Sequence, residues 1–138
     1  MDNIIIKKTW SDQDFFQIEI WFVSDMVSCK TVTYTTTEEI TSLSNKIFSC
    51  TNKDGEGFEW RIGEKGSEHS PMIAISASHV DIHGRVLLNV ECDVLSAACA
   101  ANYFCSFPVV AELGLLRSFG ERIVSINHSG VGTVISML

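Results

Sequence analysis

His79-Val80-Asp81-Ile82-His83 is the stretch of this chain whose residue types and spacing come nearest to chemistry. On an extended strand, side chains two apart leave the same face, so two imidazoles with a carboxylate between them would converge as a metal site requires. The same residues also read as a tight turn, opened by Asp81 and closed by Gly84, with both histidines in water. The turn is preferred, because no Cys or carboxylate stands at a fixed spacing to complete a metal shell. His69 and His128 lie in polar stretches flanked by Ser or Gly and read as exposed. The five cysteines, Cys29, Cys50, Cys92, Cys99 and Cys105, allow many thiol–imidazole pairings with the four histidines and single out none. Cys29, Cys92 and Cys105 fall in strand-like segments, where a free thiol behaves as a small hydrophobe. Gly55-Glu56-Gly57 and Gly130-Val131-Gly132 lack both the strand-to-helix setting and the Lys or third Gly of a phosphate cradle. Glu38 with Glu39, and Asp12 with Asp14, are ordinary for a helix first turn and for a turn before a strand. The expectation is therefore no catalytic residue, no metal and no cofactor.

The elements that would position these residues are mostly strands. Ile and Val number 26 against 8 Leu, and β-branched side chains suit a pleated surface better than a helical turn. Phe16, Ile18, Ile20 and Phe22 share one face of a strand within Phe15–Val23, with Gln17, Glu19, Phe15 and Trp21 on the other. Ser28–Thr35 alternates in the same way after a short polar break, which predicts an antiparallel hairpin. Thr36 and Glu39 have the form of a capping box, and Ile40, Leu43 and Ile47 follow at helical spacing toward Cys50. Phe58–Ile62, Met72–Ser78, Arg85–Asp93 and Tyr103–Phe107 read as further strands, the middle two joined by the Asp81–Gly84 turn. Ala97–Ala101 is ambiguous between a helical turn and a loop. Pro108 at a first helical position opens a second helix carrying Val109, Leu113, Leu116 and Ile123, with a bend or break expected near Phe119-Gly120. Gly130–Leu138 closes the sheet as a last strand. The expected architecture is α+β, a mainly antiparallel sheet of six to eight strands with two helices on one face.

Composition bounds the setting. With 138 residues, 46% of them apolar and 20% charged, the chain makes a single globular domain over 1–138. It has no apolar run near the length of a membrane span. Ten Lys and Arg against 17 Asp and Glu give a net charge of −7, a sign that repels nucleic acid backbones and anionic lipid. Only Ile4–Ile6 separates Met1-Asp2-Asn3 from Lys7 and Lys8, too short an apolar stretch for a secretory signal. An odd set of unpaired-looking cysteines agrees with reduced thiols, and the expected address is cytoplasmic.

Charge placement is the strongest functional feature. Asp54, Glu56, Glu59, Glu64 and Glu68 outnumber Arg61 and Lys65 by three within one segment that also carries Phe58 and Trp60. An acidic rim around an aromatic centre suits docking to a basic protein surface, and the turn bearing Asp81 and His83 extends the expected contact surface. The competing reading is a solvated hairpin with Trp60 in the core.

Phe16-Gln17-Ile18-Glu19-Ile20 and Thr33-Tyr34-Thr35 come before a capped helix. They are followed by Phe58-Glu59-Trp60-Arg61-Ile62-Gly63-Glu64, Asp81-Ile82-His83-Gly84-Arg85-Val86 and Glu112-Leu113-Gly114-Leu115-Leu116-Arg117-Ser118-Phe119-Gly120. In this order they resemble small cytosolic immunity proteins of bacterial polymorphic and contact-dependent growth-inhibition toxin systems. The resemblance implies a non-enzymatic, stoichiometric inhibitor that binds a cognate toxin domain, often a nuclease with a basic cleft. Two other classes stay open on the residues alone. One is a small enzyme using His79, Asp81 and His83 with a Cys or a metal. The other is a β-rich protein that oligomerises through an edge strand at Gly130–Leu138.

Overall fold

A computed structural model describes residues 1–52, 55–96 and 101–138, with the side chains of residues 79 and 96 outside the description. Eight antiparallel strands divide into two sheets of four around one apolar core. In sheet A, β1 (Asn3–Ser11), β2 (Phe16–Val23), β3 (Ser28–Thr35) and β8 (Val134–Ser136) lie in the order β3-β2-β1-β8. In sheet B, β4 (Phe58–Ile62), β5 (Ile73–Val80), β6 (Arg85–Ser96) and β7 (Ala101–Glu112) run in sequence order. Two helices, α1 (Thr37–Cys50) and α2 (Leu113–Ile123), complete the domain, with a 3-10 turn over Val124–Asn127. No helix among the described residues is long and apolar enough to cross a membrane.

Period-two alternation builds both sheets. Ile4, Ile6, Phe16, Ile18, Ile20 and Phe22 of sheet A, and Trp60, Ile62, Ile73, Ile75, Val86, Leu88 and Val90 of sheet B, are all buried. α1 starts where expected: Glu39 N–H donates to Thr36 Oγ1 at 3.2 Å, and Thr36 N–H donates back to Glu39 Oε1 at 3.2 Å. Ile40, Leu43, Ile47 and Cys50 form its buried stripe.

Three expectations change. The first nine-residue strand, β1, is central to sheet A, although its alternation was hidden in the sequence by the Lys7-Lys8 pair. Lys8 is itself buried, its Nζ donating to the Ile126 carbonyl at 3.0 Å and the Ser129 carbonyl at 2.9 Å while lying over the Phe16 ring. A buried ammonium persists because those carbonyls, at the end of the 3-10 turn, replace its water.

Pro108 does not open α2; it sits inside β7, opposite Asn89, and the helix begins at Leu113. β7 is the edge of sheet B, and the Val110 amide, two residues on, points away from β6 to the Asp2 carboxylate at 2.8 Å. Pro108 therefore places its missing donor on the open edge, where no ladder bond is lost. Nor does α2 break at Gly120. The helix continues to Ile123, and Gly120 is the point where α2 meets α1. A Cβ there would lie 2.6 Å from Ile47 Cγ2, and Ser44 Oγ donates to the Gly120 carbonyl at 2.7 Å. Of the ambiguous Ala97–Ala101 segment, Ala101 opens β7 and residues 97–100 lie outside the described residues.

Candidate functional site

The expected contact surface does not hold together as one patch. Asp54 lies outside the described residues. Trp60 leaves the surface: it is 4% exposed, and its Nε1 donates to the Glu39 carbonyl of α1 at 2.9 Å. Its strand register decides this, since Trp60 and Ile62 share the inner face while Glu59 and Arg61 point out. The remaining acids go to opposite ends of sheet B. Phe58 pairs with Ala77 and Ile62 with Ile73, so Glu56 lies at the same end as the 81–84 turn and Glu64 and Glu68 at the other. Across the five residues of β4 this separation is roughly 16 Å.

At the first end, Glu56 and Glu59 border an open groove of about 1080 Å³ between α1 and β4, lined also by Glu38, Thr41, Asn45 and Lys46. Lys46 Nζ donates to the Glu59 backbone carbonyl at 2.6 Å, which occupies one outward group of the β4 edge. The neighbouring turn matches its turn reading. Asp81 Oδ1 accepts from the amides of His83 at 2.8 Å and Arg85 at 2.9 Å, and Oδ2 accepts from Arg85 Nε at 3.1 Å. The Arg85 amide, with the burial-opposed help of the His83 amide and the Arg85 guanidinium, holds the Asp81 carboxyl below the usual carboxylate range. Its oxygens are thus committed to the turn backbone and the Arg85 guanidinium, and His83 is exposed beside them.

At the other end, the loop carrying Glu68 and His69 meets an aromatic cluster that sequence reasoning missed. Trp10, Phe15 and Tyr34 pack on one another with ring centroids 5.5 to 6.0 Å apart, two of the three contacts edge-on. Trp10 and Phe15 are 43% and 41% exposed, so the cluster is a surface feature. Its origin is a β-bulge. Ile4, Ile6 and Lys8 point inward, and simple alternation would send Trp10 inward as well. The ladder pairs Lys8 with Ile18 but Trp10 with Gln17, leaving Thr9 as an extra residue that turns Trp10 to the outer face. Gln17 in turn faces Tyr34, so Trp10, Gln17 and Tyr34 form one cross-strand row, with Phe15 at its end. The one sequence signal for it is the placement of Phe15 on the face opposite Phe16, Ile18, Ile20 and Phe22.

The three rings border a cavity of about 580 Å³ that also takes in Thr35, Thr36, Glu39, His69 and Ser70. A second cavity of about 410 Å³ shares Tyr34 and His69 with it and adds Glu68, Lys30 and Gln17. Asp12, in the β1–β2 turn, accepts the amides of Asp14 and Phe15 at 2.8 and 3.0 Å, fixing Phe15 beside Trp10 and two exposed carboxylates at the rim. An acidic rim around an aromatic centre thus exists, built from different aromatics than those expected.

The only group of three or more His, Cys, Asp or Glu close enough to share a cation, among the described residues, lies elsewhere: Cys29, Cys92 and Cys105. Comparison of the chain with protein-family models, curated proteins and solved structures finds no match.

Proposed function

We propose that this protein is a non-catalytic binding module of the immunity type, which neutralises a toxin domain by docking the aromatic corner of sheet A onto that domain's cationic surface. The observation that carries the reading is the Trp10–Phe15–Tyr34 cluster, exposed, bordered by a cavity and rimmed by Asp12, Asp14 and Glu68, in a chain of net charge −7. Exposed aromatics that already pack on one another lose little freedom on binding and release water from a large apolar area, the signature of interface hot spots. The acids add long-range attraction that accelerates encounter and fades with salt. Glu56, Glu59 and the Asp81–His83 turn lie away from this corner and belong at most to the margin of the contact.

The test is to seek a toxin domain in the adjacent reading frames and titrate it with wild-type protein and with a Trp10→Ala/Tyr34→Ala variant. Loss of two hot-spot rings weakens affinity by roughly a hundredfold or more, while an Asp12→Lys/Glu68→Lys variant slows association and flattens its salt dependence. Unchanged affinity in the ring variant removes the corner. Turnover of a small molecule by the purified chain, abolished by one side-chain substitution, removes the non-catalytic reading itself.

A further inference from the structure

We propose that Cys29, Cys92 and Cys105 form a three-thiolate site for a thiophilic d10 cation of the zinc class, which ties sheet A to sheet B. The three sulfurs lie within 4.8 Å of one another and come from three strands in both sheets: Cys29 from β3, Cys92 from β6 and Cys105 from β7. Cys92 and Cys105 are direct partners across the β6–β7 ladder, and Cys29 approaches from the opposite sheet, its Sγ 2.7 Å from that of Cys92.

Three thiolates around an ion at a metal–sulfur distance of about 2.3 Å stand about 3.8 to 4.0 Å apart, a spacing this trio reaches by small side-chain rotations. No imidazole or carboxylate of the described residues belongs to the group, so its donors select soft cations over magnesium or calcium. The fourth described cysteine gives the contrast: Cys50, buried at the end of α1, has no such group among the described residues, and burial simply pushes its thiol up.

Loading is coupled to deprotonation, since the cation's own charge displaces the thiol protons as it binds. Access exists through Cys105, which is only half-buried. What the ion would add is a second polar tie at this seam, beside the Thr31 hydroxyl donating to the Asp93 carbonyl.

The experiment is a cadmium titration of the reduced full-length protein, followed by thiolate-to-metal charge-transfer absorption. The expected result is saturation at one equivalent, competition by zinc, and a raised unfolding midpoint with zinc present. Cys105→Ser, a conservative change at the half-buried position, lowers affinity more than tenfold, and Cys50→Ala, at the end of α1, leaves it unchanged. The cadmium NMR shift of the wild-type complex, which needs no variant to fold, falls in the range of sulfur-rich coordination. The proposal is overturned by the absence of a charge-transfer band at one equivalent, by an identical titration in Cys105→Ser, by loss of binding in Cys50→Ala, or by a cadmium shift typical of oxygen and nitrogen donors.

Discussion

Strand β3 serves two regions that could hardly differ more. Tyr34 on its outer face joins Trp10 and Phe15 in the aromatic corner, open to water and rimmed by carboxylates. Cys29 on its inner face joins Cys92 and Cys105 at the seam between the sheets, where Phe22 and Val90 are fully buried beside it. The two-residue period of a strand separates these environments by one side chain's width, so a single β-strand carries surface recognition and core closure at once. The corner is adapted to give up water to a partner; the seam has already given up its water to the fold.

That contrast can be broken by experiment. The largest effect belongs to the seam: Phe22→Ala, opposite Cys29, costs about 3–5 kcal/mol by urea denaturation, because a fully buried ring leaves a cavity the two sheets cannot close. A cost below about 1 kcal/mol would mean that the sheets are held together elsewhere. The helix pair comes next. Gly120→Ala costs about 1–3 kcal/mol despite the better helix former, since the new methyl meets the β-branched, rigid side chain of Ile47. Coupling to Ile47→Ala, which makes room, should recover most of it, and additive losses in the double variant would place the strain elsewhere. At the corner, Trp10→Ala changes stability by no more than about 1.5 kcal/mol, the scale of exposed aromatic pairing, while weakening partner binding. Equal losses from Trp10→Ala and Phe22→Ala would erase the distinction between the two regions.

The smallest effect lies in the 81–84 turn, remote from both. The Asp81 carboxyl is held below its ordinary range, chiefly by the Arg85 amide, so its contribution is whole above the ordinary value of about 3.9 and is lost as pH falls through the lowered folded value. Asp81→Asn should therefore lose less stability than the wild type between pH 5 and pH 2, each compared with its own value at pH 7. Parallel acid limbs in the two proteins would remove the turn from that account.

How much of this was legible beforehand follows the regularity of the local pattern. The β2–β3 hairpin, the capped α1 and the Asp81–Gly84 turn were readable because each rests on neighbours in sequence: alternation, a Thr36–Glu39 reciprocal bond, an Asp side chain on its own turn. β1 was not, since two lysines interrupt its apolar alternation and the Thr9 bulge then reverses the phase that would have placed Trp10. Pro108 misled because its preference for a first helical position is also satisfied on a strand edge. The site was harder still. Trp60 stands among acids in the sequence, but its neighbours in space are Glu39 and the core. Trp10, Phe15 and Tyr34 come together only through three strands and a bulge. The thiol trio depends on two sheets meeting, and the sequence separation of 63 between Cys29 and Cys92 carries no spacing signal for that meeting.

The outer edge of β7 has one more consequence. A second chain aligning there to continue sheet B would find no donor at Pro108 and, two residues along, a Val110 amide already held by the Asp2 carboxylate. Growth of the sheet past this stretch is blocked by a ring at one position and by the molecule's own second residue at the next. Over this stretch the β7 edge offers no free donor to a strand that would extend sheet B.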